Sequence, residues 1–237
     1  MCIRDRAWKA VLDESGPIVW SREVRRLDSL LLLNRGDRFE ARPLPPRVQF
    51  APTWGLAVAD WDADGWEDLG VVQNQRHLRS DLPPAMNGEA LVLMNDRKGG
   101  FAVFDGSGSG FEMRGEGRGL AVGDIDEDGR ADVVVGQNDG PAGLFLNRAP
   151  GKGLTVVLQG TMGNPDAIGA VMRLRSAEGR LGPKRLVRAG GGHWSCDSPI
   201  QILGATSAPK TLWVRWPDGF ESEYPIEAGV SRVVLRR

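Results

Sequence analysis

Apolar residues in this chain fall in short runs bounded by glycine and asparagine, a pattern that predicts strands. The runs recur in order. Gly55-Leu56-Ala57-Val58-Ala59 has a counterpart in Gly119-Leu120-Ala121-Val122-Gly123, and Leu69-Gly70-Val71-Val72-Gln73-Asn74 has one in Val133-Val134-Val135-Gly136-Gln137-Asn138. A second signature, an apolar run ending in asparagine, spans residues 30–34, 91–95 and 143–147. In its first two occurrences a glycine-containing turn and a phenylalanine follow, Phe39 and Phe101. This is an internal repeat of short strands, the sequence mark of a repeat architecture.

Between the paired runs lie two acidic loops with the pattern D-x-D-x-D-G-x-x-D. The first is Asp60, Asp62, Asp64, Gly65 and Asp68; the second, 64 positions on, is Asp124, Asp126, Asp128, Gly129 and Asp132. Two like charges about 4 Å apart repel by roughly 4 kcal/mol at an effective dielectric near 20. A chain that builds such a cluster twice is expected to neutralise it with a hard cation. Calcium is the candidate, since it accepts six to eight oxygens in a flexible geometry, whereas magnesium holds to an octahedron and keeps its waters. The expected ligands are the side chains at positions one, three, five and nine, with the backbone carbonyl of position seven, Trp66 or Arg130, adding an oxygen. The glycine at position six permits the sharp turn. A helix–loop–helix hand would need a bidentate glutamate at position twelve. Val71 and Val135 stand there, so each site is a strand–loop–strand clasp.

Short strands at this period suggest β-propeller blades. Residues 24–148 hold two to three of them, too few to close a ring. Residues 149–152 read as a linker. Beyond it the acidic loops stop and new strands are expected at 154–158, 170–175, 186–189, 212–216 and 232–235, with turns at Gly190-Gly191-Gly192 and Trp216-Pro217-Asp218-Gly219. Residues 153–237 are therefore expected to form a small β-sandwich or barrel. The fold class is all-β.

Bulk composition narrows the function. The chain has 237 residues, 41% of them hydrophobic, which suffices for packed cores, and a formal net charge of −1, which gives no support to nucleic-acid binding. The longest apolar run is Leu30-Leu31-Leu32-Leu33, so no membrane span is expected. Two cysteines, Cys2 and Cys196, form no disulfide framework. Residues 1–23 are left unassigned; Met1-Cys2-Ile3-Arg4-Asp5-Arg6 resembles a translation scar, and a truncated N-terminus is expected.

The region 24–148 resembles FG-GAP or VCBS-type propeller repeats. The region 153–237 resembles the ASPIC/UnbV domain that follows such repeats in the cartilage acidic protein-like family. The second likeness rests on Asn164-Pro165-Asp166-Ala167-Ile168-Gly169-Ala170, on Gly190-Gly191-Gly192 with Ser195, and on Val214-Arg215-Trp216-Pro217-Asp218-Gly219. Where that family shows a phenylalanine-glycine-leucine-glycine run, this chain has Ile202-Leu203-Gly204-Ala205. The resemblance implies a calcium-binding protein that is extracellular, periplasmic or on the cell surface, with two calcium sites and a protein or carbohydrate ligand. Its UnbV branch implies the alternative of an enzyme or biosynthetic accessory of the enediyne-pathway type.

Other motifs read as structure. Arg35-Gly36-Asp37 fits the repeat's own turn. His193, Ser195 and Asp197 are adjacent in sequence, which does not supply the geometry of a catalytic triad, and His193 with Cys196 is too small a set for zinc. The segment 106–119 has phosphate-loop spacing but opens onto a strand. His77, the other histidine, sits in an insert. Of the tryptophans, Trp54, Trp61, Trp66, Trp194, Trp213 and Trp216 are more often core than sugar platforms; Trp61 and Trp66 are expected to be the most exposed.

Overall fold

The computed structural model describes residues 26–76, 84–104, 110–113, 115–205 and 209–237. Met1 to Arg6, His77 and the glycines at 106 and 108 lie outside these residues. The described chain is all-β apart from one turn of 3-10 helix, Pro46–Gln49.

The repeats fold as consecutive antiparallel meanders. The first contributes two strands, β1 (Leu30–Asn34) and β2 (Phe39–Pro43). The second is a complete four-stranded sheet, β3 (Thr53–Ala59), β4 (Asp68–Gln73), β5 (Ala90–Asn95) and β6 (Phe101–Val103), in that order. The third has three strands, β7 (Glu116–Gly123), β8 (Asp132–Asn138) and β9 (Gly143–Phe145). This succession is consistent with a partial propeller followed by a sandwich, with no closed barrel among the described residues.

The asparagine signature now has a physical cause. Asn34 Oδ1 accepts the N–H of Gly36 at 2.8 Å, Asn95 Oδ1 that of Arg97 at 2.8 Å, and Asn147 Oδ1 that of Ala149 at 2.9 Å. Each closes a side-chain turn that ends its strand. Arg35-Gly36-Asp37 is such a turn, with Gly36 at φ +93°.

Strand β4 is buried along its whole length, which explains its unbroken apolar run. Leu69 and Val71 join a core with Val48, Leu91 and Leu93, while Val72 joins one with Ala57, Leu120, Val133 and Val135. The backbones of β3 and β7 close around Val72. A β-carbon on Gly55 would lie 2.6 Å from Val72 Cγ2, and one on Gly117 would lie 2.6 Å from Val72 Cβ. Both strands also carry a register shift at the same repeat position, Thr53/Gly55 and Gly117/Gly119. Gly117→Ala is expected to destabilise the protein by about 1–3 kcal/mol through overpacking, as a fall in the urea midpoint without a change in its slope.

The C-terminal part forms two sheets. One has the order β13 (Gln201–Leu203), β10 (Leu154–Gln159), β16 (Arg232–Arg236), with β10 and β16 parallel. The other has the order β12 (Arg185–Leu186), β11 (Val171–Ser176), β14 (Pro209–Arg215), β15 (Glu221–Pro225). Val156 and Leu158 from the first meet Met172, Leu212 and Val214 from the second, with Trp216 filling the end of the core. Each strand expected here is present, although the one expected at 186–189 shortens to β12. Strands β13 and β15 escape the sequence reading because one is three residues long and the other, Glu221–Pro225, is mostly polar.

Segment 149–152 and the C-terminal sheets pack directly on the meanders. Ile202 is buried in the core of the second and third meanders, Gly153 N donates to Gly129 O at 3.0 Å, and Ser198 N donates to Val122 O at 2.8 Å.

Candidate metal centre

Each acidic loop joins the first two strands of a meander, β3 to β4 and β7 to β8, and both loops take the same backbone path. Position four is left-handed, Ala63 at φ +60° and Glu127 at φ +56°, and so is the glycine at position six, Gly65 at +87° and Gly129 at +82°. These turns aim successive N–H groups at the position-one carboxylate. Asp60 Oδ1 accepts from Asp64 N at 3.0 Å and Oδ2 from Gly65 N at 2.8 Å; Asp124 accepts from Asp128 N at 2.9 Å and Gly129 N at 3.0 Å. The N–H of Trp66 goes to Asp64 Oδ1 at 2.8 Å and that of Arg130 to Asp128 Oδ1 at 3.1 Å.

The position-nine carboxylates act as ties across the meander. Asp68 accepts from Trp61 N at 3.2 Å and from Asn95 N, at the end of β5, at 2.8 Å. Asp132 accepts from Ile125 N at 2.8 Å and from Asn147 N, just past β9, at 2.7 Å. Sequence reasoning identified the aspartate and the asparagine separately and missed this bond. The recurrence of both in each repeat was the available signal.

In the first loop Asp60, Asp62 and Asp68 each bring a carboxylate oxygen within 4.8 Å of the others; in the second Asp124, Asp126 and Asp128 do so. Asp64 and Asp132 stand outside these groups. Asp64 is turned to the guanidinium of Arg97, and Asp132 is held by its two N–H donors. Arg148 lies on the second loop, 2.8 Å from Asp126 and 3.2 Å from Asp128. Carboxylate oxygens grouped in this way could hold a hard metal ion.

The first loop is the more enclosed. A β-carbon on Gly204 would come within 2.0 Å of Asp60 Oδ2, and one on Gly151 within 2.0 Å of the Asp62 carbonyl oxygen. Both are glycine because the backbone lies against the loop. Burial pushes the Asp60 carboxyl up to about 7, against the pull of Gly65 N–H, with Asp64, Asp62 and Glu67 adding repulsion. Burial likewise raises Asp68 to about 6, against its bonds to Asn95 and Trp61. Asp124 is raised for the same first reason.

A raised carboxylate favours the protonated native state, so its contribution is complete below the unfolded value, near 3.9 for aspartate, and is lost as pH rises through the native value. A metal binds the ionised form and must displace that proton. Any rise in melting midpoint on adding a divalent cation such as calcium is therefore expected to be larger at pH 8 than at pH 5.5, and equal shifts at the two pH values would refute this linkage.

Trp66 is 42% exposed, as expected, but Trp61 is 8% exposed. Its ring packs over Gly70, where a β-carbon would lie 2.7 Å from Cη2. The most exposed of the tryptophans singled out is Trp194, at 79%. His193 stacks on it at 4.9 Å between ring centroids, Asp197 accepts the N–H of Val122 at 3.0 Å, and Ser195 Oγ is buried with no hydrogen-bond partner among the described residues. His193 and Asp197 are engaged elsewhere and Ser195 Oγ bonds to neither, so these three side chains form no triad.

Residues 160–236 match the family model described as ASPIC and UnbV. The match takes in β11 to β16 and all three motifs quoted for that likeness. A search of curated proteins finds no match to the chain.

Proposed function

We propose that this chain is a non-enzymatic binding module whose acidic loops take up calcium as a structural clasp, and that it presents a protein or carbohydrate ligand surface in an extracellular, periplasmic or cell-surface setting. The observation that carries this reading is the duplication of one loop geometry. Two nine-residue segments, 64 positions apart, place the same left-handed turns and the same carboxylate–amide bonds at equivalent positions. Each loop groups three carboxylates and leaves no nitrogen or sulfur donor among them. The sites join strand to strand within packed sheets, which suits a clasp rather than a sensor that opens.

The assignment of the meanders to FG-GAP or VCBS-type repeats belongs to this reading. It is supported by the two-, four- and three-stranded succession and by the ASPIC and UnbV match that follows it. Calcium titration by calorimetry is expected to give two equivalents per chain, falling to one in Asp124→Ala. Absence of binding by either loop would overturn the clasp.

A further inference from the structure

We propose that the cleft between the second and third meanders and strand β12 binds a sugar acid, either free or as the terminal residue of a glycan. The proposal rests on the reading of the chain as a binding module and needs no calcium in the loops. The cleft has a volume of about 290 Å³, room for a single sugar ring. Lys184, Arg185 and Arg188 reach it from the C-terminal side, and Glu67 faces them from the end of the first acidic loop.

The polar groups in the cleft are unevenly satisfied. Glu67 Oε1 lies 2.8 Å from Arg185 Nη2 as an ion pair, and both Glu67 oxygens are buried without a hydrogen-bond partner of good geometry among the described residues. Asp197 is taken up by the N–H of Val122. Lys184 forms no hydrogen bond or ion pair among the described residues, and Arg188 is held only by electrostatic attraction to Glu67, so the cleft carries three cations, Lys184, Arg185 and Arg188, against two carboxylates, Glu67 and Asp197. Gln201 spends its amide N–H groups on Ser198 O at 3.1 Å and Pro199 O at 3.3 Å, leaving its side-chain oxygen as an acceptor. Val58, Val122 and Ile202 give the wall an apolar part.

A ligand that satisfies this set carries an anion for Lys184 and Arg188, hydroxyl donors for Glu67 and Gln201, and a C–H face for the apolar wall. A sugar acid has all three. A neutral sugar leaves Lys184 unanswered, and a simple inorganic anion offers no donor to Glu67. Pockets of this mixed kind occur preferentially between domains.

Saturation-transfer NMR on the full chain in calcium is the test, with glucuronate, glucose and a glucuronate-terminated disaccharide as probes. Glucuronate is expected to show ring-proton transfer that glucose lacks, with affinity lowered at least about tenfold in Lys184→Met/Arg188→Met, the loss of charged hydrogen bonds, and retained in Trp194→Ala. Transfer to the disaccharide would identify the glycan terminus, and transfer to glucuronate alone the free acid. Silence with glucuronate, an unchanged signal in the double variant, or equally tight competition by inorganic phosphate would overturn the proposal. The variant's melting curve checks its fold. A parallel calcium titration separates the two readings, since a chain that binds calcium but not glucuronate refutes the cleft alone.

Discussion

Asp132→Ala is expected to lower stability by about 2–4 kcal/mol even when calcium is chelated, because two N–H groups, those of Ile125 and Asn147, lose their acceptor. Asp132 is 1% exposed, so water does not readily replace it. Asp126→Ala in the same loop makes the contrasting case. Its carboxylate pairs with Arg148, whose side chain is 63% exposed, and exposed pairs of this kind contribute about 0–1 kcal/mol. In chelator Asp126→Ala is therefore expected to lie close to the parent. With calcium bound as proposed, it is expected to lose the clasp, about 2.7 kcal/mol per site when free calcium is a hundred times the dissociation constant. Thermal midpoints of the two variants with and without chelator separate the scaffold role from the metal role. Equal effects of both substitutions in chelator would show that position nine has no scaffold role of its own.

The second large effect is expected at Trp216. It is 1% exposed, among Leu158, Met172 and Leu235 in the C-terminal core. The turn that follows is closed by Trp216 N donating to Phe220 O at 2.8 Å and Gly219 N donating to Trp216 O at 2.9 Å. The indole N–H reaches Ser222 Oγ at 3.3 Å, and Ser222 in turn donates to Tyr224 at 3.0 Å. Trp216→Ala leaves a large cavity and is expected to cost about 3–5 kcal/mol. Trp216→Phe keeps much of the volume and loses the polar contact, so its cost should be clearly smaller. Denaturant midpoints for the two variants test this; a loss below about 1 kcal/mol for the alanine variant would show that the core closes over the gap.

Local chemistry carried much of this structure in the sequence. The strand–loop–strand form of the acidic sites followed from Val71 and Val135 at position twelve, and the meanders followed from short apolar runs ended by glycine and asparagine. Long-range packing was hidden. Trp61 sits among aspartates and reads as exposed, yet its ring finds space over Gly70, a contact set by sheet pairing and not by its neighbours in sequence. Gly151 reads as part of a linker and Gly204 as part of a divergent run, while their reason for being glycine is the first acidic loop lying against them. The pairing of Glu67 with Arg185 was not legible because the two are more than a hundred residues apart in sequence and Arg185 belongs to a strand of only two residues.

The carboxylate ties have a consequence for how the meanders open. Asp68 binds one amide in its own loop and another 27 residues on, and Asp132 does the same across 15 residues. The loop cannot release its carboxylate without freeing the far strand's end. Amides bound to one acceptor group that open together share one free energy of opening, as in a cooperative unit of local unfolding. The amide hydrogens of Trp61 and Asn95 should therefore exchange with deuterium as a pair, and those of Ile125 and Asn147 as another. The second and third meanders then each behave as a single cooperative element, fastened at one carboxyl group.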